Sequence, residues 1–159
     1  MTTIKRLTNV LPVLAIALGV ATPVLADGHL EDVIKARQGY YKLVSHNAGV
    51  LFGMAKGDIA YDAEAATTAA NNLQTLTKLD VGSLYPAGTS KEEMPGKTRA
   101  LKKIWDTYPA VLEKSKAWKA AVADMAAVAG NGLDAVRAKA GPLGNSCGGC
   151  HDNFRAKDF

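Results

Sequence analysis

The sequence predicts an all-α protein folded as an up-and-down antiparallel four-helix bundle. Three observations predict it. Apolar residues recur at alternating three- and four-residue spacing in four successive segments. Extended alternation of β-branched and polar residues is absent, and alanine is abundant. The first and second segments, and likewise the third and fourth, are joined by short connections, which place neighbouring helices antiparallel.

The first segment runs from about Leu30 to Ala55, with Leu30, Ile34, Arg37, Tyr41, Val44, Ala48, Leu51 and Ala55 in one stripe. Gly57 stands where the pattern stops, as a helix-ending glycine does. The second runs from about Ala63 to Leu79, with Asp62 as N-cap and Ala66, Ala69, Leu73 and Leu76 facing inward. A loop from Asp80 to about Lys97 follows, punctuated by Gly82, Pro86, Gly88, Pro95 and Gly96. Loops this long in a small bundle are often functional. The third helix starts between Lys97 and Asp106 and ends near Gly130. Ile104, Tyr108, Val111, Ser115, Trp118, Val122 and Met125 share its face. With Asp106 as N-cap, Pro109 falls in the first turn, where no backbone donor is lost, and the residues upstream form a separate short turn. The fourth runs from about Leu133 to Arg155. Leu133, Val136, Ala140, Leu143, Cys147, Cys150 and Phe154 form its stripe, and Pro142 is expected to kink it one turn before the cysteines.

Residues 1–26 stand apart from this domain. Lys5 and Arg6 precede an apolar run from Val10 to Val20, and Val24-Leu25-Ala26 supplies small residues where a signal peptidase reads. The apolar run falls short of the ~20 residues that a membrane span needs. The expected mature chain is 27–159: exported, periplasmic and free of the membrane once the signal is cleaved. Cleavage would lower Lys+Arg from 19 to 17 against 15 Asp+Glu. No basic block or aromatic-basic interleaving points to nucleic acid.

The chemistry lies in Cys147-Gly148-Gly149-Cys150-His151. Two thiols three residues apart on a helix can each add to one haem vinyl group, and the adjacent imidazole can then act as axial iron ligand. Three rivals are weaker. A thioredoxin-like pair needs a βαβ unit. Structural zinc needs four ligands, and the other histidines, His29 and His46, lie far upstream. A disulfide in an exported protein gives no reason for His151 or for the inward stripe. One covalent haem c is therefore the expected cofactor.

Together these segments resemble the cytochromes c′, the class II c-type cytochromes. The resemblance rests on the C-terminal motif followed by Phe154-Arg155 and on Glu31 to Gln38 at the start of the first helix. Ala55-Lys56-Gly57 with Tyr61-Asp62, Leu84-Tyr85-Pro86-Ala87-Gly88-Thr89-Ser90 and Ile104-Trp105 extend it over the mature chain. It implies thioethers at Cys147 and Cys150, a proximal ligand at His151, and propionate contacts at Arg37 and Gln38. It also implies that Thr89 and Glu93 close over the haem edge, and that the chain forms an antiparallel homodimer through its first two helices. For Arg37 the residues alone leave two readings, pairing with a propionate or snorkelling to the rim. One departure is the Gly148-Gly149 spacer, where many relatives carry a basic residue; it bears on the redox-partner surface rather than on attachment.

By that resemblance Tyr41 occupies the distal position, where low-spin relatives carry a ligating methionine. A neutral phenol, with pKa ~10, is a poor iron ligand. The expectation is therefore five-coordinate, high-spin haem with a crowded distal pocket that admits nitric oxide and carbon monoxide and restricts larger ligands. The alternative is a low-spin carrier between periplasmic redox partners with a protein-derived sixth ligand, for which Met94 is the strongest candidate. His46 and Met54 lie off the stripe, and Met125 reads as packing. No catalytic triad, carboxylate pair or nucleotide loop marks a dedicated enzyme.

Overall fold

The computed structural model describes residues 24–159. Most of the export segment, including Lys5, Arg6 and the apolar run, lies outside the described residues. Five α-helices follow in order: α1 Val24–Lys56, α2 Ala63–Leu76, α3 Lys103–Asp106, α4 Tyr108–Ala126 and α5 Leu133–Phe154, with a 3-10 turn at Val81–Leu84 between α2 and α3. Helix α1 neighbours α2 and α5, and α4 neighbours the same two helices. The long helices thus close a four-membered ring, while α3 is a one-turn prelude to α4. No helix among the described residues is long and apolar enough to cross a membrane.

Local signals place the helix ends. Gly57 has φ 88 and donates from its amide to the Met54 carbonyl (3.1 Å), which closes α1. The Asp62 carboxylate accepts from the Ala65 amide at 2.7 Å and caps α2. At the same end of the bundle, the Tyr61 hydroxyl donates to the Ala129 carbonyl (3.0 Å) and accepts from the Gly132 amide (2.9 Å). One phenol therefore ties the α1–α2 turn to the α4–α5 turn, which antiparallel neighbours require.

Several boundaries differ from the periodicity. Helix α1 begins at Val24 rather than near Leu30. Helix α2 stops at Leu76, beyond which the Lys78 and Leu79 amides donate only three residues back, to the Thr75 (3.0 Å) and Leu76 (3.3 Å) carbonyls. Thr107, not Asp106, is the residue before α4; Asp106 ends α3, and Pro109 still lies in the first turn. Helix α5 ends at Phe154 and runs through Pro142 without a break; the imino acid simply leaves the Ala138 carbonyl without its helical donor.

Leu51, Met54, Leu73, Val122, Met125, Val136 and Leu143 fill the core. Each fully buried side chain of this size contributes about 1.5–3 kcal/mol by leaving water. Met125 is packing, as its place on the stripe implied. Three positions correct the stripes. Met54, assigned off the stripe, is buried at 2% exposure. Tyr40, given no place on the stripe, is buried at 7% exposure. Tyr108 is exposed at the first turn of α4. In each case a residue at the flank of a broad apolar face was one step from the line that neighbouring helices cover.

Candidate haem-attachment site

At the end opposite Tyr61, the last turns of α5 meet the loop before α3. The Leu101 amide donates to the Phe154 carbonyl (3.0 Å) and the Ala156 amide to the Arg99 carbonyl (2.8 Å). Residues 99–101 thereby hold the chain where α5 ends. Cys147 and Cys150 lie one turn apart on α5, both free thiols and both half-buried. Burial raises both thiols above their usual range, and the nearby Lys114 ammonium works against this at Cys150. A Cβ added at Gly148 would meet nothing within 4 Å, and one at Gly149 would meet only the Lys114 side chain, at 3.6 Å.

His151 is exposed, and both its ring nitrogens lie 3.3–3.4 Å from Nη1 of Arg155, with roles set by the tautomer. Partial burial, then the charges of Arg155 and Arg99, lower its pKa. The neutral imidazole is the form that can bind a metal. Among the described residues no three His, Cys, Asp or Glu side chains gather as a metal cluster, so neither His29 nor His46 joins the two thiols. The donor set is two free thiols one helical turn apart with an accessible neutral imidazole beside them. It fits a porphyrin held by two thioethers and one axial nitrogen.

Arg37 is buried at 3% exposure. Its Nη1 donates to the Leu84 carbonyl (3.2 Å) and to Oγ1 of Thr89 (3.1 Å). Its Nη2 donates to the Thr89 carbonyl (3.0 Å) and to Oγ1 of Thr98 (2.9 Å). Four of its five N–H groups are thus spent on the loop. Two carbonyl and two hydroxyl oxygens compensate a guanidinium that burial alone would make costly. Gln38 donates from Nε2 to the Lys97 carbonyl at 2.8 Å. Thr89, fully buried, also donates to the Pro86 carbonyl (2.8 Å). The exposed Glu93 accepts from the amide (3.3 Å) and hydroxyl (2.7 Å) of Ser90. These four predicted residues therefore lie on one seam, α1 against the loop at 84–98. Arg37 does not snorkel.

Tyr41 lies edge-on to Tyr40, with ring centres 5.0 Å apart. Its hydroxyl accepts from the Tyr85 hydroxyl at 3.1 Å. Burial and the neighbouring phenol raise the Tyr41 pKa, and burial raises that of Tyr85, so both stay neutral at physiological pH. Periodicity gave no role to Tyr85, Thr98 or Trp105, although Tyr85 and Trp105 stand in the segments that carried the family resemblance. Trp105 donates from Nε1 to the Tyr85 carbonyl (2.9 Å), and the Arg37 guanidinium lies 4.6 Å from the centre of the Tyr85 ring.

Comparison with known proteins agrees with this geometry. The family model described as Cytochrome C' matches residues 32–155. A cytochrome c' of Cereibacter sphaeroides is 42% identical over 127 residues, spanning 80% of this chain and 85% of the relative. A cytochrome c-554 of the same organism is 36% identical over 151 residues, 93% of this chain and 98% of the relative. Among solved structures, a cytochrome c' from Rhodobacter Spheriodes superposes with TM-score 0.78 at 42% identity, covering 80% of this chain and 98% of the other. A ferrous variant of cytochrome c prime from Alcaligenes xylosoxidans with bound NO superposes with TM-score 0.69 at 29% identity, covering 81% and 97%.

Proposed function

The chain belongs to the cytochrome c′ family and carries one covalently attached haem c, and from that premise we propose that it is a five-coordinate, high-spin cytochrome that binds nitric oxide and carbon monoxide. The haem supplies an iron centre able to accept an electron or a diatomic ligand. Cys147 and Cys150 tether it, and His151 binds it from the proximal side. Arg37 and Gln38 hold the loop at 84–98 against α1, and we place the propionates along this seam, with Thr89 and Glu93 at its outer edge.

The observation that carries the reading is Tyr41. The position that the family resemblance assigns to the distal residue holds a phenol whose surroundings keep it neutral. A neutral phenol guards the distal face without binding iron. Reduced-protein absorption spectra with and without carbon monoxide test this. A broad high-spin spectrum that shifts on carbon monoxide supports the open position. A sharp low-spin α-band indifferent to carbon monoxide replaces it with the electron-carrier reading.

Export to the periplasm, cleavage after Ala26 and electron exchange with periplasmic partners complete the proposal. They are supported by the N-terminal composition and by family membership. A mature mass beginning at Asp27 and carrying one haem tests the cleavage. For the homodimer, Leu43 on α1 is 55% exposed, and a groove of about 390 Å³ between α1 and α2 is lined by His46, Asn47, Val50 and Asn72. Sedimentation of the holoprotein tests it. We assign no dedicated enzymatic activity.

A further inference from the structure

We propose that Tyr85 is a positioning residue that orients the Tyr41 hydroxyl as a hydrogen-bond donor to a diatomic ligand in the distal space. This rests on the gas-binding reading above and assigns it a polar element in addition to the steric one. Steric guarding needs only a ring at position 41. It gives no use to a second hydroxyl 3.1 Å away.

A phenol carries one proton and two acceptor lone pairs. Two hydroxyls that share one hydrogen bond always leave one proton unspent. With Tyr85 as the donor, the proton left over belongs to Tyr41, whose hydroxyl makes no other hydrogen bond among the described residues. The polarity has a physical cause. The Arg37 guanidinium over the Tyr85 ring favours loss of the Tyr85 proton, which makes Tyr85 the stronger donor of the two.

The two rings also differ in freedom. Tyr85 is fixed by Arg37 on its face, by the Trp105 ring at 6.0 Å, and by the Trp105 indole bond to its carbonyl. Tyr41 packs edge-on against Tyr40 at 5.0 Å, and its hydroxyl bonds only to Tyr85 among the described residues. A clamped phenol thus holds a second one, and the spare proton sits on the second. Donors fixed in advance stabilise developing charge without having to reorganise.

The test compares the ferrous carbon monoxide adducts of the holoprotein, Tyr41→Phe, Tyr85→Phe and the double variant by infrared spectroscopy, in H2O and D2O. Phenylalanine keeps both rings and their packing. The C–O stretch should rise in Tyr41→Phe, should broaden and rise part of the way in Tyr85→Phe, and should match Tyr41→Phe in the double variant. The band should move on deuteration in the parent and stay fixed in Tyr41→Phe. Nitric oxide should leave Tyr41→Phe roughly three- to tenfold faster, the size of one ordinary net hydrogen bond. Carbon monoxide binding with one unchanged frequency in all four chains would overturn the inference and leave the open iron face intact. Failure of the parent to bind carbon monoxide would remove both.

Discussion

The Arg37 guanidinium holds Thr89 twice, donating to its hydroxyl at 3.1 Å and to its carbonyl at 3.0 Å. Together with the bonds to Leu84 and Thr98, this makes one α1 side chain the fastener of the whole loop at 84–98. The loop carries Tyr85, so the fastener also sets the position of the Tyr41–Tyr85 pair.

Arg37→Lys should therefore be costly although it keeps the charge. Lysine offers three donors from one nitrogen and lacks the planar fork that reaches four acceptors. Losing charge-assisted bonds in a buried place predicts about 3 kcal/mol of lost stability. Chemical denaturation of the holoprotein measures it. A loss below ~0.5 kcal/mol would show that the loop is held by other means.

Tyr40 predicts an alkaline transition. Its hydroxyl donates to the Leu76 carbonyl at 3.2 Å, and burial pushes its pKa to about 12. The folded value lies above the unfolded one of ~10, so this contribution is complete below pH ~10 and is lost as pH rises toward about 12. Tyr40→Phe should lose about 1 kcal/mol at neutral pH. It should also show a shallower fall of stability between pH ~10 and 12. Equal slopes for both proteins over that range would contradict the assignment.

Met94 is the rival sixth ligand. It is half-buried in the loop turn, where its amide donates to the Ser90 carbonyl at 2.8 Å. Met94→Leu keeps the bulk and removes the sulfur. Unchanged absorption spectra in both oxidation states are expected. A low-spin parent that turns high-spin on this substitution would identify Met94 as the ligand.

Cys147 and His151 separate attachment from coordination. In Cys147→Ser/Cys150→Ser, acid-acetone extraction should remove all porphyrin. In His151→Ala the porphyrin should stay with the chain on denaturing mass spectrometry while the absorption spectrum changes. Loss of attached porphyrin from His151→Ala would tie the histidine to attachment itself.

Most of the fold was legible because helix periodicity is local. Asp62, Gly57 and the three-four spacing of Val136, Leu143 and Phe154 each act through residues one turn away. The attachment motif was legible for the same reason, being five adjacent residues. What stayed hidden depends on partners distant in sequence. Tyr40 and Tyr41 are both aromatic neighbours on one helix, and only packing against the rest of the bundle decides which is covered. The hydrogen-bond partners of Arg37 lie 47 to 61 residues away, two hydroxyls and two carbonyls that no pattern announces. The Tyr41–Tyr85 bond spans 44 residues and links a helix to a loop.

The central claim is an iron held by His151 on one side and by no protein side chain on the other. Resonance Raman spectroscopy of the reduced protein reads coordination number and spin state together. The account predicts the marker bands of five-coordinate, high-spin ferrous haem with an iron–histidine stretch. Six-coordinate, low-spin marker bands without that stretch would contradict it.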